Sequence, residues 1–205
     1  MPTTSTATFT ALFQTPNLIY RPLTTQIAHK QFIHTILSTQ PTTWAQSTMR
    51  LLKPQTDADI EKYVERLAGS LLAVMIHKKK MQPTEEKNAE SDEVPIGYLI
   101  LSNDPLSAHH RCCSLGIVIS DEYQNRGYGS EAINWSLNWA FDVAGLHHVG
   151  LGCYSFNEGG LKLYPRLGFK EEGRNREVYW YGGRWWDGVM FSMLEDEWRS
   201  MRQAE

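Results

Sequence analysis

The chain has 205 residues, of which 41% are hydrophobic and 21% charged, and its formal net charge is −3. This length suits one domain with a sizeable core, and the charge provides no basic footprint for nucleic acid, which leaves nucleic acid out of the expected partners. The cysteines Cys112, Cys113 and Cys153 form neither a disulfide framework nor a zinc pattern. With no signal peptide and no run of about 20 apolar residues, we expect a soluble, cytoplasmic protein without a metal or a membrane partner.

The first half of the chain alternates short apolar runs with helical patterns. Residues 1–16 are Thr-rich and predict a flexible N-terminal arm, followed by a single domain over residues 17–205. Apolar spacing predicts a strand at 17–23, helices at 25–37 and 57–67, and strands at 71–76 and 94–101. Residues 77–93 are charged and almost free of apolar side chains, so they predict a mobile insert at the tip of a hairpin.

The second half carries clearer patterns. Residues 112–120 and 149–153 predict strands, residues 158–167 a short helix, and residues 176–181 and 185–194 a final hairpin. Between the first two strands lies an amphipathic helix that Gly145 is well placed to end, and its apolar positions are Ile133, Leu137, Ala140, Phe141 and Ala144. Helices interleaved with strands indicate an α/β or α+β domain.

A glycine-containing loop precedes that helix and is the first candidate for binding chemistry. It reads Gln-Asn-Arg-Gly-Tyr-Gly-Ser over residues 124–130. Two glycines let backbone N–H groups point inward, and the helix N-terminus adds unpaired donors and partial positive charge, which favours phosphate. The motif lacks the Lys-Ser/Thr of a Walker loop and the third glycine of the dinucleotide fingerprint. Taken alone, it is compatible with phosphate binding or with a simple turn.

A second candidate pair follows the next predicted strand. Asn157 is a suitable helix N-cap, and Tyr164 lies seven residues later, two turns along the same helix face. Asn157 can be a cap or a ligand, and Tyr164 can be a packing residue or a proton donor. Spacing does not choose between these interpretations.

Three motifs in order carry a family resemblance: LGIVISDEYQNRGYGSEA, then Asn-x7-Tyr, then LGF followed by EEG. Over about residues 111–198 the sequence resembles the GCN5-related N-acetyltransferases, and more narrowly the branch that contains the ribosomal-protein alanine N-acetyltransferases. The resemblance implies an α+β fold with a mixed, mostly antiparallel sheet whose fourth and fifth strands splay apart between flanking helices. It also implies acetyl-coenzyme A as co-substrate and a primary amine, on a small molecule or a protein N-terminus, as acceptor.

The resemblance further assigns roles by position. The strand would pair its backbone with the pantetheine arm, the loop would hold the pyrophosphate, Asn157 would bind the pantetheine, and Tyr164 would bind near the sulfur as the catalytic acid. The implied cofactor-binding residues are Ile117, Val118, Ile119, Gln124, Asn125, Arg126, Gly127, Tyr128, Gly129, Ser130, Asn157 and Tyr164.

The sequence also departs from the family pattern. Gly152 stands where some members have a glutamate base, Gly160 stands where alanine-acetylating relatives can have a serine, and Pro165 directly follows Tyr164. The general base is therefore unassigned, with Glu122, His109, His110 or a water relay as candidates. Use of another acyl-coenzyme A and a catalytically weak, acetyl-coenzyme A-sensing module remain alternative functions, and oligomerisation is compatible with all of them.

Tryptophans and cysteines have less specific interpretations. Trp135 and Trp139 favour helix packing. Trp180, Trp185 and Trp186 can line an acceptor pocket or pack in the final hairpin. We expect the adjacent pair Cys112 and Cys113 to be buried rather than reactive.

Overall fold

The fold is known from a computed structural model, which describes residues 9–79 and 93–203. Seven strands form one sheet in the order β1-β2-β3-β4-β5-β7-β6. The strands are β1 (Leu18–Pro22), β2 (Leu72–Lys79), β3 (Glu93–Ser102), β4 (Cys112–Ile119), β5 (His148–Tyr154), β6 (Lys170–Tyr181) and β7 (Arg184–Leu194). The helices are α1 (Ile27–Thr39), α2 (Pro41–Ser47), α3 (Asp57–Ala68), α4 (Tyr128–Asn138), α5 (Glu158–Arg166) and α6 (Glu195–Gln203).

The pairing of β4 with β5 gives the sheet its functional shape. All other neighbouring strands are antiparallel, whereas these two are parallel and pair over only three positions, ending at Ser114 opposite Gly150. Beyond that pair, β4 stays on β3 as far as Ile119 and β5 stays on β7, so the two strands diverge. This confirms the predicted fold class, a mixed and mostly antiparallel sheet with splayed fourth and fifth strands.

Alternating side chains give each face of the sheet its own core. Val149, Leu151 and Cys153 of β5 are buried in the larger cluster, together with Ile133 and Leu137 of α4. On the opposite face, the smaller cluster joins α1, α2 and α3 to strands β2, β3 and β4, and its buried residues include Ile33, Trp44, Val64, Tyr98 and Val118. The helices α1–α3 therefore cover the β2–β4 part of this second face.

Local sequence explains several helix boundaries. Thr56 accepts a hydrogen bond from the backbone N–H of Asp59, and the Asp59 side chain accepts one from the N–H of Thr56. This reciprocal cap begins α3 and typically stabilises a helix end by about 1 kcal/mol. At the other end of the central helix, α4 continues into a π turn over Trp139–Val143, and Gly145 follows with a φ of +63°. A left-handed glycine there ends the helix as predicted.

The predicted N-terminal arm and the predicted insert are shorter in the structure than the sequence patterns indicate. Residues Phe9–Phe13 form a 3₁₀ turn, and Trp135 Nε1 donates a hydrogen bond to the carbonyl of Leu12 over 2.7 Å. The predicted flexible arm therefore contacts Trp135 of α4 at Leu12 and Phe13, while residues 1–8 lie outside the described residues. The predicted insert also begins later than residue 77, because β2 continues to Lys79 opposite Glu93; residues 80–92 lie outside the described residues.

Two helices and part of a strand were not predicted. The helices are α2 and α6, and β6 begins at Lys170, six residues before the predicted position. Within residues 9–79 and 93–203, no helix combines the length and the apolar character that a bilayer crossing requires.

Candidate active site

A cleft of about 470 Å³ opens where β4 and β5 diverge. Within residues 9–79 and 93–203, the backbone of β4 beyond Ser114 pairs with β3 on one side and with no strand on the other. Every second N–H and C=O of such an edge is available to a ligand. The predicted site residues that line the cleft are Ile117, Val118, Ile119, Gln124, Asn125, Gly127, Gly129, Ser130, Asn157 and Tyr164. Two predicted residues, Arg126 and Tyr128, belong to the same loop but are not among these lining residues.

The glycine-containing loop forms one end of the cleft. Asn125 and Gly127 have φ values of +57° and +86°, and α4 begins at Tyr128 directly after Gly127. A positive φ strains a side chain, so glycine suits position 127. The first N–H groups of α4 have no partner within the helix, and together with the helix dipole they favour an anion at this end.

The Gln124 side chain fixes the loop through hydrogen bonds to neighbouring residues. Its Nε2 donates hydrogen bonds over 2.9 Å to the Ile119 carbonyl and over 2.9 Å to Thr43 Oγ1, and Thr43 in turn donates to the Asp121 carboxylate. Gln40 adds two further links, from its Nε2 to Ser120 Oγ and from the Asp121 N–H to its Oε1. The loop is thus tied to α2, a helix that the sequence did not predict.

Helix α5 brings Asn157 and Tyr164 to the other side of the cleft. Asn157 Oδ1 accepts a hydrogen bond from the Gly160 N–H over 2.9 Å, so the cap interpretation holds. Its Nδ2 makes no hydrogen bond to any residue within the described ranges. Both roles considered for Asn157 are therefore compatible, because the cap uses the oxygen and leaves the nitrogen free to donate.

Tyr164 is buried with its ring against the rings of Phe169 and Phe191, at centroid distances of 6.0 and 5.7 Å. Pro165 does not turn the side chain away, since Tyr164 still lines the cleft. The hydroxyl makes no hydrogen bond to a residue in the described part of the chain. Burial, with a smaller effect from Cys153, raises the pKa of Tyr164 well above its usual range. The phenol is therefore protonated at neutral pH and can act as a proton donor.

Gly160 and Gly152, which replace a serine and a glutamate of the family pattern, differ in the space around them. A Cβ on Gly160 would lie 2.9 Å from Cys153 Sγ and 3.1 Å from Tyr164 Cε2, so a larger residue would displace the tyrosine ring. A Cβ on Gly152 would meet only Met190 Sδ at 3.8 Å. Position 160 is therefore restricted by packing, whereas position 152 is open and simply lacks a side chain.

The base candidates named from the sequence lie elsewhere. Glu122 is exposed in a turn after β4, and His109 and His110 are exposed in a turn before β4, at the end where β4 and β5 are still paired. None of the three is among the residues described as lining the cleft. The described residues also contain no group of three or more His, Cys, Asp or Glu side chains able to hold a metal ion.

The tryptophans do not line the cleft either. Trp135 stacks on Tyr20 with ring centroids 3.7 Å apart and an interplanar angle of 8°, a packing contact worth about 0.5–1.5 kcal/mol beyond burial. Trp180 and Trp185 are 62% and 54% exposed and meet edge to face on the β6–β7 hairpin, while Trp186 packs on Phe156.

The cysteines differ from the expectation in one respect. Cys113 is buried, and burial raises its pKa to about 12, but Cys112 is exposed. The expectation that both cysteines are buried is therefore wrong for Cys112. The two residues alternate on β4, so only one of them can face the core.

The region that forms the cleft matches a known protein family. The model of the "Acetyltransferase (GNAT) family" matches residues 41–169, more than half of the chain and all of the cleft. The chain belongs to this family. This chain is 31% identical over 88 residues to a spermidine N(1)-acetyltransferase from Vibrio cholerae. The matched region covers 43% of this chain and 51% of that protein. It is 26% identical over 103 residues to the [ribosomal protein uS5]-alanine N-acetyltransferase of Escherichia coli, covering 50% and 53%.

These matches confirm the predicted resemblance to N-acetyltransferases, the alanine-specific branch included. The chain spans about half the length of the curated relatives it matches. Among solved structures, a spermidine N-acetyltransferase from Vibrio cholerae in complex with CoA and spermine superimposes with a TM-score of 0.70 at 20% identity, covering 89% of this chain and 98% of that one. This likeness extends the fold assignment beyond the region that the sequence matches cover.

Proposed function

We propose that this protein is an N-acetyltransferase that moves the acetyl group of acetyl-coenzyme A to a primary amine by direct attack on the thioester. The observation that carries the proposal is the cleft itself, where a strand edge, an anion-favouring helix start and a protonated tyrosine converge. The neighbour with bound CoA supports acetyl-coenzyme A as the co-substrate.

The cleft offers a binding element for each part of the cofactor. The β4 edge over Ile117–Ile119 would pair with the amides of the pantetheine arm as another strand would. The N–H groups between Asn125 and Ser130 would hold the pyrophosphate. Asn157 Nδ2 would donate to a pantetheine carbonyl, because only its oxygen is used by the helix cap.

The chemistry then needs little from the protein. A thioester is already reactive, so the main requirement is to hold it against a neutral amine in the correct orientation. As the amine attacks, negative charge develops on the thioester oxygen, and a free β4 N–H would stabilise it. The C–S bond then breaks, and the Tyr164 hydroxyl would protonate the departing thiolate.

The acceptor is proposed only as a class. The relatives act on spermidine and on a ribosomal-protein alanine, which are both primary amines on otherwise different molecules. A primary amine on a small molecule or at a protein N-terminus is the shared chemistry. The face of the sheet beside the cleft carries small side chains on both diverging strands, which leaves room for an amine to approach.

A thiol-release assay tests the proposal. Purified protein is incubated with acetyl-coenzyme A and, in separate wells, spermidine, an alanyl peptide and simple alkyl amines. We expect release of coenzyme A above the amine-free control with at least one amine, and a mass increase of that amine by one acetyl group. Binding of acetyl-coenzyme A without turnover of any amine would favour the sensing module instead. Faster turnover with a longer acyl chain would favour another acyl donor.

A further inference from the structure

On the face of the sheet opposite α4, the described residues around the point where β4 and β5 diverge have small side chains or none. Gly150 and Gly152 of β5 lie on this face, because Val149, Leu151 and Cys153 point into the core with α4. On β4, Ser114 and Gly116 occupy the same face. In the described part of the chain, Ser114 and Gly152 are exposed and Gly116 and Gly150 are half-buried, so these four small residues form a strip that is open to solvent, the bare strip. Farther along the same face, Val118 of β4 and Tyr154 of β5 are buried.

His148 lies at the end of this strip where β4 and β5 are still paired, opposite Cys112, and it is not among the described residues that line the cleft. It lies two residues before Gly150 on the same face of β5, and its ring carbon Cε1 is 3.1 Å from the position that a Cβ of Gly150 would occupy. The imidazole therefore lies over Gly150 and not beside its own backbone. Since a strand rises about 3.3–3.4 Å per residue, the ring is about 7 Å from Gly152, the position of the family's glutamate.

A carboxylate and a hydroxyl from two other strands meet this imidazole. His148 Nε2 lies 3.5 Å from Glu172 Oε1, and Ser192 Oγ donates a hydrogen bond to the same oxygen over 2.8 Å. Ser192 is buried and pairs with Gly150 of β5 on one side and with Lys170 of β6 on the other, so β7 lies between β5 and β6. The sheet order thus brings together three residues that are far apart in the sequence.

The position of Glu172 bears on where the imidazole carries its proton. A carboxylate at Nε2 favours a proton there, which leaves the lone pair on Nδ1. In the described part of the chain, no residue donates a hydrogen bond to His148 Nδ1, and the Gly150 Cβ position lies 3.8 Å from this atom. The free lone pair is thus on the side of the bare strip, where a proton acceptor is required.

We propose that His148 accepts the proton of the acceptor ammonium through one water molecule, and that Glu172, held by Ser192, positions the imidazole for this step. The inference rests on the proposed function and supplies the base that Gly152 does not provide. Within the described ranges, the other ionisable groups near His148 are Cys112, its partner on β4, and Lys170 beside Ser192 on β6, whose ammonium contacts Glu197. The adjacent Arg111 and His147 side chains turn to Glu195.

The ammonium gives one proton through water to His148 Nδ1, and this proton later leaves to solvent. The neutral nitrogen then forms the C–N bond, the C–S bond breaks with its electron pair on sulfur, and sulfur takes the proton of Tyr164. The second proton of the attacking nitrogen restores the Tyr164 hydroxyl. The products are an amide, a thiol and one released proton.

The test compares His148→Gln with His147→Gln, a neighbouring histidine that faces Glu195, using the best amine from the thiol-release panel. We expect His148→Gln to lower kcat/KM for the amine at least about tenfold at pH 7, since positioned bases contribute about 10²- to 10⁴-fold and water can partly substitute. The deficit should shrink as the pH rises toward about 10, where an alkyl amine loses its proton without help. The KM for acetyl-coenzyme A and the profile of His147→Gln should match the parent.

Glu172→Gln provides the second arm and keeps the test valid if His148→Gln is unstable, because the Glu172 side chain is about half exposed. Glu172→Gln removes the carboxylate that contacts the imidazole, so kcat/KM for the amine should fall at pH 7 while the KM for acetyl-coenzyme A stays at the parent value. An unchanged kcat/KM for the amine would overturn the positioning role of Glu172. If the parent is active and His148→Gln has the same kcat/KM for the amine, or a kcat/KM that is reduced equally at every pH, the role of His148 is overturned. A parent that acetylates no amine would instead refute the proposed function, and this inference with it.

Discussion

Replacement of Tyr164 by phenylalanine separates packing from chemistry at the cleft. The variant keeps the ring that contacts Phe169 and Phe191 and removes only a hydroxyl that has no partner in the described part of the chain. The negative charge on sulfur exists only while the C–S bond breaks, so the lost interaction belongs to the transition state. We therefore expect kcat to fall while the KM for acetyl-coenzyme A stays close to that of the parent.

The magnitude follows from the same geometry. A positioned proton donor contributes about 10²- to 10⁴-fold, and since water can enter the cleft we expect a loss of at least about tenfold in kcat. An unpaired hydroxyl adds no stabilising hydrogen bond, so the free energy of unfolding should change by less than about 1 kcal/mol, or about 2–4 °C in Tm for a chain of this size. Burial keeps the phenol protonated, so its own titration should not appear in the pH profile below pH 10.

Steady-state kinetics with varied acetyl-coenzyme A, together with thermal melting of both proteins, check this prediction. A matched control is Tyr181→Phe, on the hairpin outside the cleft, which should retain the kcat of the parent. Turnover by Tyr164→Phe within threefold of the parent, at equal stability, would refute the proton-donor role and assign thiolate protonation to water.

Three further outcomes are expected. Gly127→Val and Gly129→Val should each weaken acetyl-coenzyme A binding at least about tenfold in calorimetry. Gly145 has a positive φ and open space, as Gly127 does, but lies at the far end of α4, so Gly145→Val should only destabilise the fold. Acetyl-coenzyme A at 100 times its Kd should stabilise the fold by about 2.7 kcal/mol, seen as a Tm increase of about 5–10 °C; no shift at millimolar concentration would contradict binding. Burial raises the pKa of Tyr20, so the folded state should lose stability as pH rises above about 10, and Tyr20→Phe should lose less in alkaline denaturation.

The sequence predicted those parts of the molecule in which local pattern and burial agree. The amphipathic spacing of Ile133 and Leu137 places α4 correctly, and the alternation of Val149 and Leu151 places β5. Helix α2 was missed because its seven residues show no helical period, although Trp44 is buried against Tyr63 once the chain folds. Its existence depends on tertiary packing, which overrides weak local propensity.

The same limit applies to the site. The loop and the Asn157–Tyr164 pair are contiguous in the sequence and could be predicted, because each is one local motif. His148, Glu172 and Ser192 could not, because they meet only when β7 inserts between β5 and β6. The first residues of β6 were also hidden, since the strand is exposed and polar from Lys170 and has irregular pairing at two places.

The short β4–β5 pairing has a consequence for backbone dynamics. Among the described residues, the strand pairing that joins the ladder of β1–β4 to the ladder of β5–β7 extends over three residue pairs, next to two backbone hydrogen bonds from His147 and His148 to the Arg111 carbonyl. Past Ser114, alternate amides of β4 face the cleft, and no strand in the described part of the chain accepts their hydrogen bonds. Their protons are therefore open to exchange with water, while those of the neighbouring amides bonded to β3 are protected. A ligand that bonds to this edge would slow the exchange of that alternate set alone. Hydrogen exchange along Leu115–Ile119 is therefore a site-resolved readout of whether the cleft is occupied, independent of turnover.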